Sequence, residues 1–293
     1  MKIVITGSLG NISKPLTETL VKAGHTVTVI SSNANRADEI KALGAMPAIG
    51  SVEDVNFLTD AFKGADAVYA MVPPNFGVSE WKNWIAGIGQ NYADAITANG
   101  IKKVVHLSSI GAHLVDGTGP VTGIHRVEEI YNKLEGVAVK HLRPAFFYTN
   151  LLANIGMIKH AGIIGSNWGA DTQMILVHPT DIAAAAAEEL QSDFTGKSVR
   201  YIASDERTAG EIAKVLGTAI GKPELPWVEF SDADNTGGMI GAGLPEEVAV
   251  NYTEMGGSVR AGKMFEDYKQ HRPTLSKVKL EDFAQEFAQA FNA

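Results

Sequence analysis

The run VITGSLGNIS at residues 4–13 sets Gly7, Gly10 and Ser13 three residues apart, after an apolar β-branched run and before a helical pattern. That context is what a dinucleotide-binding turn requires, because a helix N-terminus offers free N–H groups and a positive dipole end to a diphosphate. Gly7 permits the tight turn, and Gly10 lets the backbone approach a ligand. Ser13 stands where a last glycine usually packs helix on strand, and it is small enough to serve there. Pro15 has no N–H to donate and fits only the first helical turn, so the helix is expected to begin near Asn11 or Ile12. At the end of the second strand, ISSNANR (30–36) carries no carboxylate; the first is Asp38. Ser32, Asn33 and Arg36 offer hydrogen-bond donors and one positive charge instead. A ribose 2′-phosphate suits that set, which points to NADP over NAD. Further on, His125 and Glu129 sit one helical turn apart on one face, and a histidine there can donate a proton near neutral pH.

Elements able to position these groups recur through the N-terminal half. KIVIT (2–6), TVTVI (26–30), MPAI (46–49), DAVYAMV (66–72), KVVHLSS (103–109) and VAVKHLRP (137–144) read as strands. Helical patterns over 13–23, 36–43, 54–63, 79–98 and 122–134 alternate with them, four of the first five segments stopping at Gly24, Gly44, Gly64 and Gly100. This cadence predicts a doubly wound parallel α/β sheet covered on both faces. After Pro144, strands are expected at 172–179 and 197–204, both returning to the main sheet. A helix capped by Asp181 is expected between them, with further helices at 209–220 and near the C-terminus. Residues 231–262 are glycine-rich without clear periodicity and predict a loop-rich lobe. The expected division is a nucleotide domain over 1–145, rejoined by 172–204, and a smaller interleaved substrate lobe from 146–171 and 205–293.

Composition narrows the function classes. The 293 residues carry a net charge of −8 with no dense basic run, which argues against nucleic acid. There is no cysteine, so thiolate metal sites and disulfides are excluded. The eight histidines form no metal-ligating spacing, and no metal is expected. No apolar segment approaches the ~20 residues that span a bilayer, and the short stretch before Gly7 does not read as a signal peptide. A cytoplasmic protein without membrane or nucleic-acid partners is expected. The segment GSVRAGKM (257–264) approximates a phosphate-binding loop but lacks its Ser or Thr and a preceding strand.

ITGSLGNIS at the start, VVHLSSIGAH (104–113), LRPAFFYTNLL (142–152) and VHPTDIAAAAAEEL (177–190) resemble the NmrA-like group of atypical short-chain dehydrogenase/reductase proteins. The likeness covers most of residues 1–220 and is nearest the NAD(P)H-dependent quinone and dye reductases. It implies a Rossmann fold with the nucleotide across the C-terminal edge of the sheet. Gly7, Ser8, Leu9, Gly10, Asn11 and Ile12 would face the diphosphate, and Ser32, Asn33 and Arg36 the adenosine ribose. Met71, Val72 and Pro73 would pass along the middle of the cofactor. Leu107 and Ser108 would lie beside the nicotinamide ribose, and Pro144, Ala145, Phe146 and Phe147 would line the nicotinamide and acceptor. One departure stands out: none of the seven tyrosines has a lysine four residues on, the pair that typical members use for proton transfer. The resemblance thus implies NADPH-dependent hydride transfer to a small quinone-like or other conjugated acceptor, with His125 as the catalytic candidate. The other reading it leaves open is a regulator that senses NAD(P) without turnover.

Overall fold

Three of the four residues of β1 (Lys2–Ile5) are buried, and their alternation divides the core. In the computed structural model, which describes all 293 residues, Ile3 and Ile5 pack beneath α1 (Ser13–Lys22), whereas Val4 joins an apolar cluster on the opposite face. Side chains alternate across a strand, so a strand buried on both faces reads as a continuous apolar run. The alternation of β2 (Thr26–Ser31), α2 (Ala37–Ala42), β3 (Met46–Ile49), α3 (Val55–Ala61) and β4 (Ala67–Ala70) follows. It continues through α4 (Trp81–Ala98), β5 (Lys103–Leu107), α5 (Pro120–Asn132) and β6 (Ala138–Pro144). The two-residue strand β7 (Phe146–Phe147) leaves the layer and leads to α6 (Ile155–Ala161), β8 (Ile164–Ser166), β9 (Gln173–Val177) and α7 (Pro179–Gln191). After β10 (Lys197–Ile202) come β11 (Asp205–Thr208), α8 (Ala209–Ala219), β12 (Trp227–Glu229), α9 (Asp232–Gly241), α10 (Glu246–Arg260), α11 (Glu266–Gln270) and α12 (Leu280–Asn292).

The main sheet has seven parallel strands in the order β10-β6-β5-β4-β1-β2-β3. Helices α1 and α7 pack together on one face, and α3, α4 and α5 on the other. This is the doubly wound Rossmann architecture, and its strand order reverses between β1 and β4, where ligands bind beyond the carboxyl ends. No helix is long and apolar enough to cross a membrane.

Three expectations for the C-terminal half need correction. Strand β10 returns to the main sheet, but β9 does not: it pairs with β7 in parallel and with β11 antiparallel in a separate three-stranded sheet. The place beside β6 is filled by β10, and the buried run Met174–Val177 is covered within the smaller sheet instead. Asp181 does not cap α7. His178 does, its Nδ1 accepting from the Thr180 amide at 3.2 Å, while the Asp181 carboxylate accepts from Ser204 Oγ at 2.7 Å. The 231–262 segment is helical, as α9 and α10. Ser231 caps α9, accepting from the Asp234 amide, and Val248, Tyr252, Met255 and Val259 mark one face of α10. That 4-3-4 spacing is helical, but Gly256 and Gly257 within it and the three glycines of α9 dilute the pattern. The 257–264 motif accordingly lies on the end of α10 and the following turn, with no strand before it.

Candidate functional site

The turn between β1 and α1 is fixed from beneath by Thr6. Its Oγ1 accepts from the Met71 amide at 2.8 Å and donates to the Met71 carbonyl at 3.0 Å, tying the ends of β1 and β4 together. Gly7 has φ +91°, and a Cβ there would stand 2.7 Å from Ser13 Oγ and 2.9 Å from the Met71 side chain. Conformation and space both require glycine. At Gly10 the nearest atom to an added Cβ is the Gly7 carbonyl at 3.3 Å, so the neighbouring protein makes a weaker demand there. Ser8 is left-handed at φ 55° and is held by its amide to Ile30 O at 3.0 Å and by its hydroxyl to Ser31 Oγ at 2.9 Å. Leu9 and Ile12 bury their side chains in the core. Ser13 is also buried, and its Oγ donates to Thr6 O at 2.9 Å: the third position of the motif bonds helix to strand where glycine would only let them touch. The amides of Asn11, Ile12 and Ser13 have no backbone acceptor. A helix start with unspent N–H groups is an anion site.

Past β2, Ser32 and Asn33 are exposed, and Asn33 Oδ1 accepts from the Asn35 amide at 3.0 Å. Arg36 Nη1 lies 3.0 Å from Glu39, whose other oxygen is 3.3 Å from Lys14 Nζ. Sequence reasoning missed Lys14, because it sits 22 positions before Arg36 on a different element; only the fold brings the two cations to one carboxylate.

The ends of β5 and β6 are joined by a buried polar chain. Ser108 Oγ donates to Glu128, which accepts from Arg143 Nε at 2.9 Å and Nη2 at 2.6 Å. Arg143 Nη1 reaches Tyr201 Oη at 3.1 Å and Asp267 at 3.0 Å, and Tyr201 also donates to Asp267. Burial works against the Arg143 charge, yet the bonds and charge of Glu128 prevail and raise its pKa above the ordinary guanidinium value. The Ser108 hydroxyl is thus turned into this network. Leu107 is buried beside it, and Pro144 ends β6.

Where β5 and β6 end, an apolar cavity of about 210 Å³ opens. Ser109, Ile110, Ala145, Phe146 and Phe147 line it from the sheet side; Trp168, Met174, Tyr252, Met255, Met264 and Phe265 are among those that close it from the lobe. The turn after β4 reaches the same place: Phe76 meets Tyr252 edge-on, 6.3 Å between ring centroids. A larger, polar groove of about 1230 Å³ lies elsewhere, along α5, β6, β10 and α7. His125 lines that groove and not the apolar cavity. Its Nδ1 donates to the Ala112 carbonyl at 2.8 Å, and Nε2 is 3.7 Å from Glu129. The structure therefore gathers Gly7–Ile12, Met71–Pro73, Leu107–Ser108 and Pro144–Phe147 on one sheet edge, with Ser32, Asn33 and Arg36 beyond β2, and sets His125 to one side.

Residues 7–143 match the family model described as NAD(P)H-binding. This segment is an NAD(P)H-binding domain. The matched segment begins at the glycine with φ +91° and ends at the buried Arg143. Comparison with curated proteins returned no match. Among solved structures, the chain is similar to an NADPH-dependent quinone oxidoreductase from Escherichia coli, solved with NADPH: TM-score 0.81, 22% identity, over 97% of this chain and 99% of that one. It is similar also to the triphenylmethane reductase of a Citrobacter species, solved with NADP(H): TM-score 0.81, 20% identity, 98% and 99% covered. A nucleoside-diphosphate-sugar epimerase from Staphylococcus aureus shares the fold at TM-score 0.80 and 15% identity, over 97% and 100% of the two chains. At these identities the likeness establishes the Rossmann architecture. The free amides of Asn11, Ile12 and Ser13, and a Gly10 with no side chain over them, fit a dinucleotide diphosphate.

Proposed function

We propose that the protein is an NADPH-dependent oxidoreductase that passes a hydride to a small quinone-like or other conjugated acceptor. One observation carries the reading: the apolar cavity opens at the same carboxyl edge of the sheet as the glycine turn, directly after β5 and β6. The cofactor, when bound, supplies the hydride. The backbone of Gly7–Ile12 receives the diphosphate; Ser32, Asn33 and Arg36, joined by Lys14, receive the adenosine ribose and its phosphate. Met71, Val72 and Pro73 flank the middle of the cofactor, and Leu107, Ser108 and Pro144 its nicotinamide half. Ala145, Phe146 and Phe147 separate nicotinamide from acceptor space, in a cavity whose apolar walls exclude water. Residues 1–145 with β10 form the cofactor domain; 146–171 and 205–293, with β9, form the lobe over the acceptor. A conjugated acceptor is already electrophilic and its reduced anion is protonated by water, so no tyrosine and lysine pair is required. His125 enters as a positioning residue, holding the loop that carries Ser109 and Ile110 through Ala112.

The test follows NADPH absorbance with a panel of quinones and dyes, after titrating NADPH and NADH side by side. The expected result is tighter NADPH binding and loss of absorbance with at least one quinone. NADPH binding without turnover on any acceptor would replace this reading with that of a cofactor-sensing regulator. Equal or tighter NADH binding would remove the preference for the 2′-phosphate.

A further inference from the structure

The apolar cavity holds more information than its position. None of its 14 lining residues carries a charge, and 12 are hydrophobic. Its volume of about 210 Å³ lies below the roughly 300–1,000 Å³ of pockets for drug-sized ligands. Moving a charged ring system into such walls leaves its charge without a partner, which is costly. Among the lining side chains two aromatic donors lack a protein partner. Trp168 is 7% exposed, and its indole N–H is buried without a hydrogen bond. A buried donor left unmet costs free energy in the protein alone and regains it when a ligand supplies an acceptor. Tyr252, from α10, lines the same cavity, and its hydroxyl bonds no neighbour; burial is the sole influence on its pKa, raising it and keeping the O–H protonated as a donor.

We infer that the cavity selects an uncharged, planar carbonyl compound of one or two rings, and that Trp168 and Tyr252 are the side chains that hydrogen-bond its oxygens. The inference rests on the hydride-transfer reading above. Reduction adds a hydride from the dihydronicotinamide to the acceptor, leaves negative charge on its oxygen, and ends when that oxygen takes a proton from water. N–H and O–H donors bonded to this oxygen hold the charge until the proton arrives.

Trp168→Phe and Tyr252→Phe each remove one donor and keep a ring in place. Two measurements test them: NADPH oxidation with 1,4-naphthoquinone, and calorimetric binding of 1,4-naphthoquinone without cofactor. The chain has no cysteine for the quinone to alkylate. Each substitution is expected to weaken quinone binding and raise its KM about three- to tenfold, the worth of one net hydrogen bond, with the NADPH dissociation constant unchanged. A triphenylmethane cation is expected to be turned over at least tenfold more slowly than naphthoquinone. Unaltered naphthoquinone binding and KM in both variants, or equal turnover of the bulky cation, overturns the inference. Failure of the unmodified protein to oxidise NADPH with every acceptor defeats the underlying reading instead. Should Trp168→Phe unfold, Tyr252→Phe decides the donor question alone.

Discussion

The diphosphate turn and the apolar cavity lie on one sheet edge but are built in opposite ways. The turn comes from ten consecutive residues whose backbone does the work: left-handed Gly7 and Ser8, and three amides at the head of α1. The cavity is assembled from side chains of segments scattered from Ser109 to Phe265. A backbone site demands residues for what they lack, such as the missing Cβ of Gly7, and tolerates Ser13 because its hydroxyl finds Thr6 O. A side-chain site depends on distant elements staying in register. The two differ in what damages them, and substitutions can separate them.

The largest effect is expected where the regions are joined. Arg143 links Glu128 on α5 to Tyr201 on β10 and Asp267 on α11. Arg143→Leu strands a carboxylate that is only 5% exposed, and breaking a buried pair in this way costs about 3–5 kcal/mol. Denaturant unfolding is expected to show that loss, with Arg143→Leu/Glu128→Leu recovering most of it, since apolar replacement of both partners leaves no buried charge. If the double variant is no better than the single, the network is not the uncompensated charge described here. Acceptor KM is expected to rise more than the NADPH dissociation constant, because Asp267 anchors the lobe.

Gly7→Val breaks the turn and spares the cavity. A side chain at φ +91° is strained, and its Cβ meets Ser13 and Met71 below 3 Å. The combined cost is about 2–4 kcal/mol. Calorimetry is expected to detect no NADPH binding while 1,4-naphthoquinone still binds. Retained NADPH affinity would mean that the diphosphate lies elsewhere.

This contrast also explains what was legible in the sequence. The sheet was readable because each buried strand is an apolar run and four N-terminal helical segments stop at a glycine, both local signals. The turn was readable because its chemistry is contiguous. Lys14 was not, since pairing with Glu39 beside Arg36 needs the α1–α2 geometry. Tyr252 and Trp168 were not, because α10 hid behind glycines and nothing local distinguishes a cavity-lining tryptophan from a core one. The strand over 173–177 was found, but its sheet was misassigned: an apolar run records that a strand is covered, not by which neighbours.

The smallest effect is expected at His125, and it sharpens the border between the regions. The residue resembles a catalytic acid by type and spacing. In the fold its Nδ1 is spent on the Ala112 carbonyl, which is fully buried, and its other nitrogen lies 3.7 Å from Glu129, one turn along α5 on the wall of the polar groove. His125→Ala leaves that carbonyl unmet, worth about 1–3 kcal/mol of local stability, and loosens the loop bearing Ser109 and Ile110. Steady-state kinetics are expected to show kcat within about threefold of the unmodified protein and a rise of about twofold in acceptor KM, magnitudes typical of a shifted loop rather than a lost proton donor. His125→Asn, whose amide can donate to the same carbonyl, should restore the KM. A fall in kcat of about a hundredfold, with a limb missing from its pH profile and no rescue by asparagine, would move His125 to the reacting atoms and require the 109–113 loop to rearrange when cofactor binds.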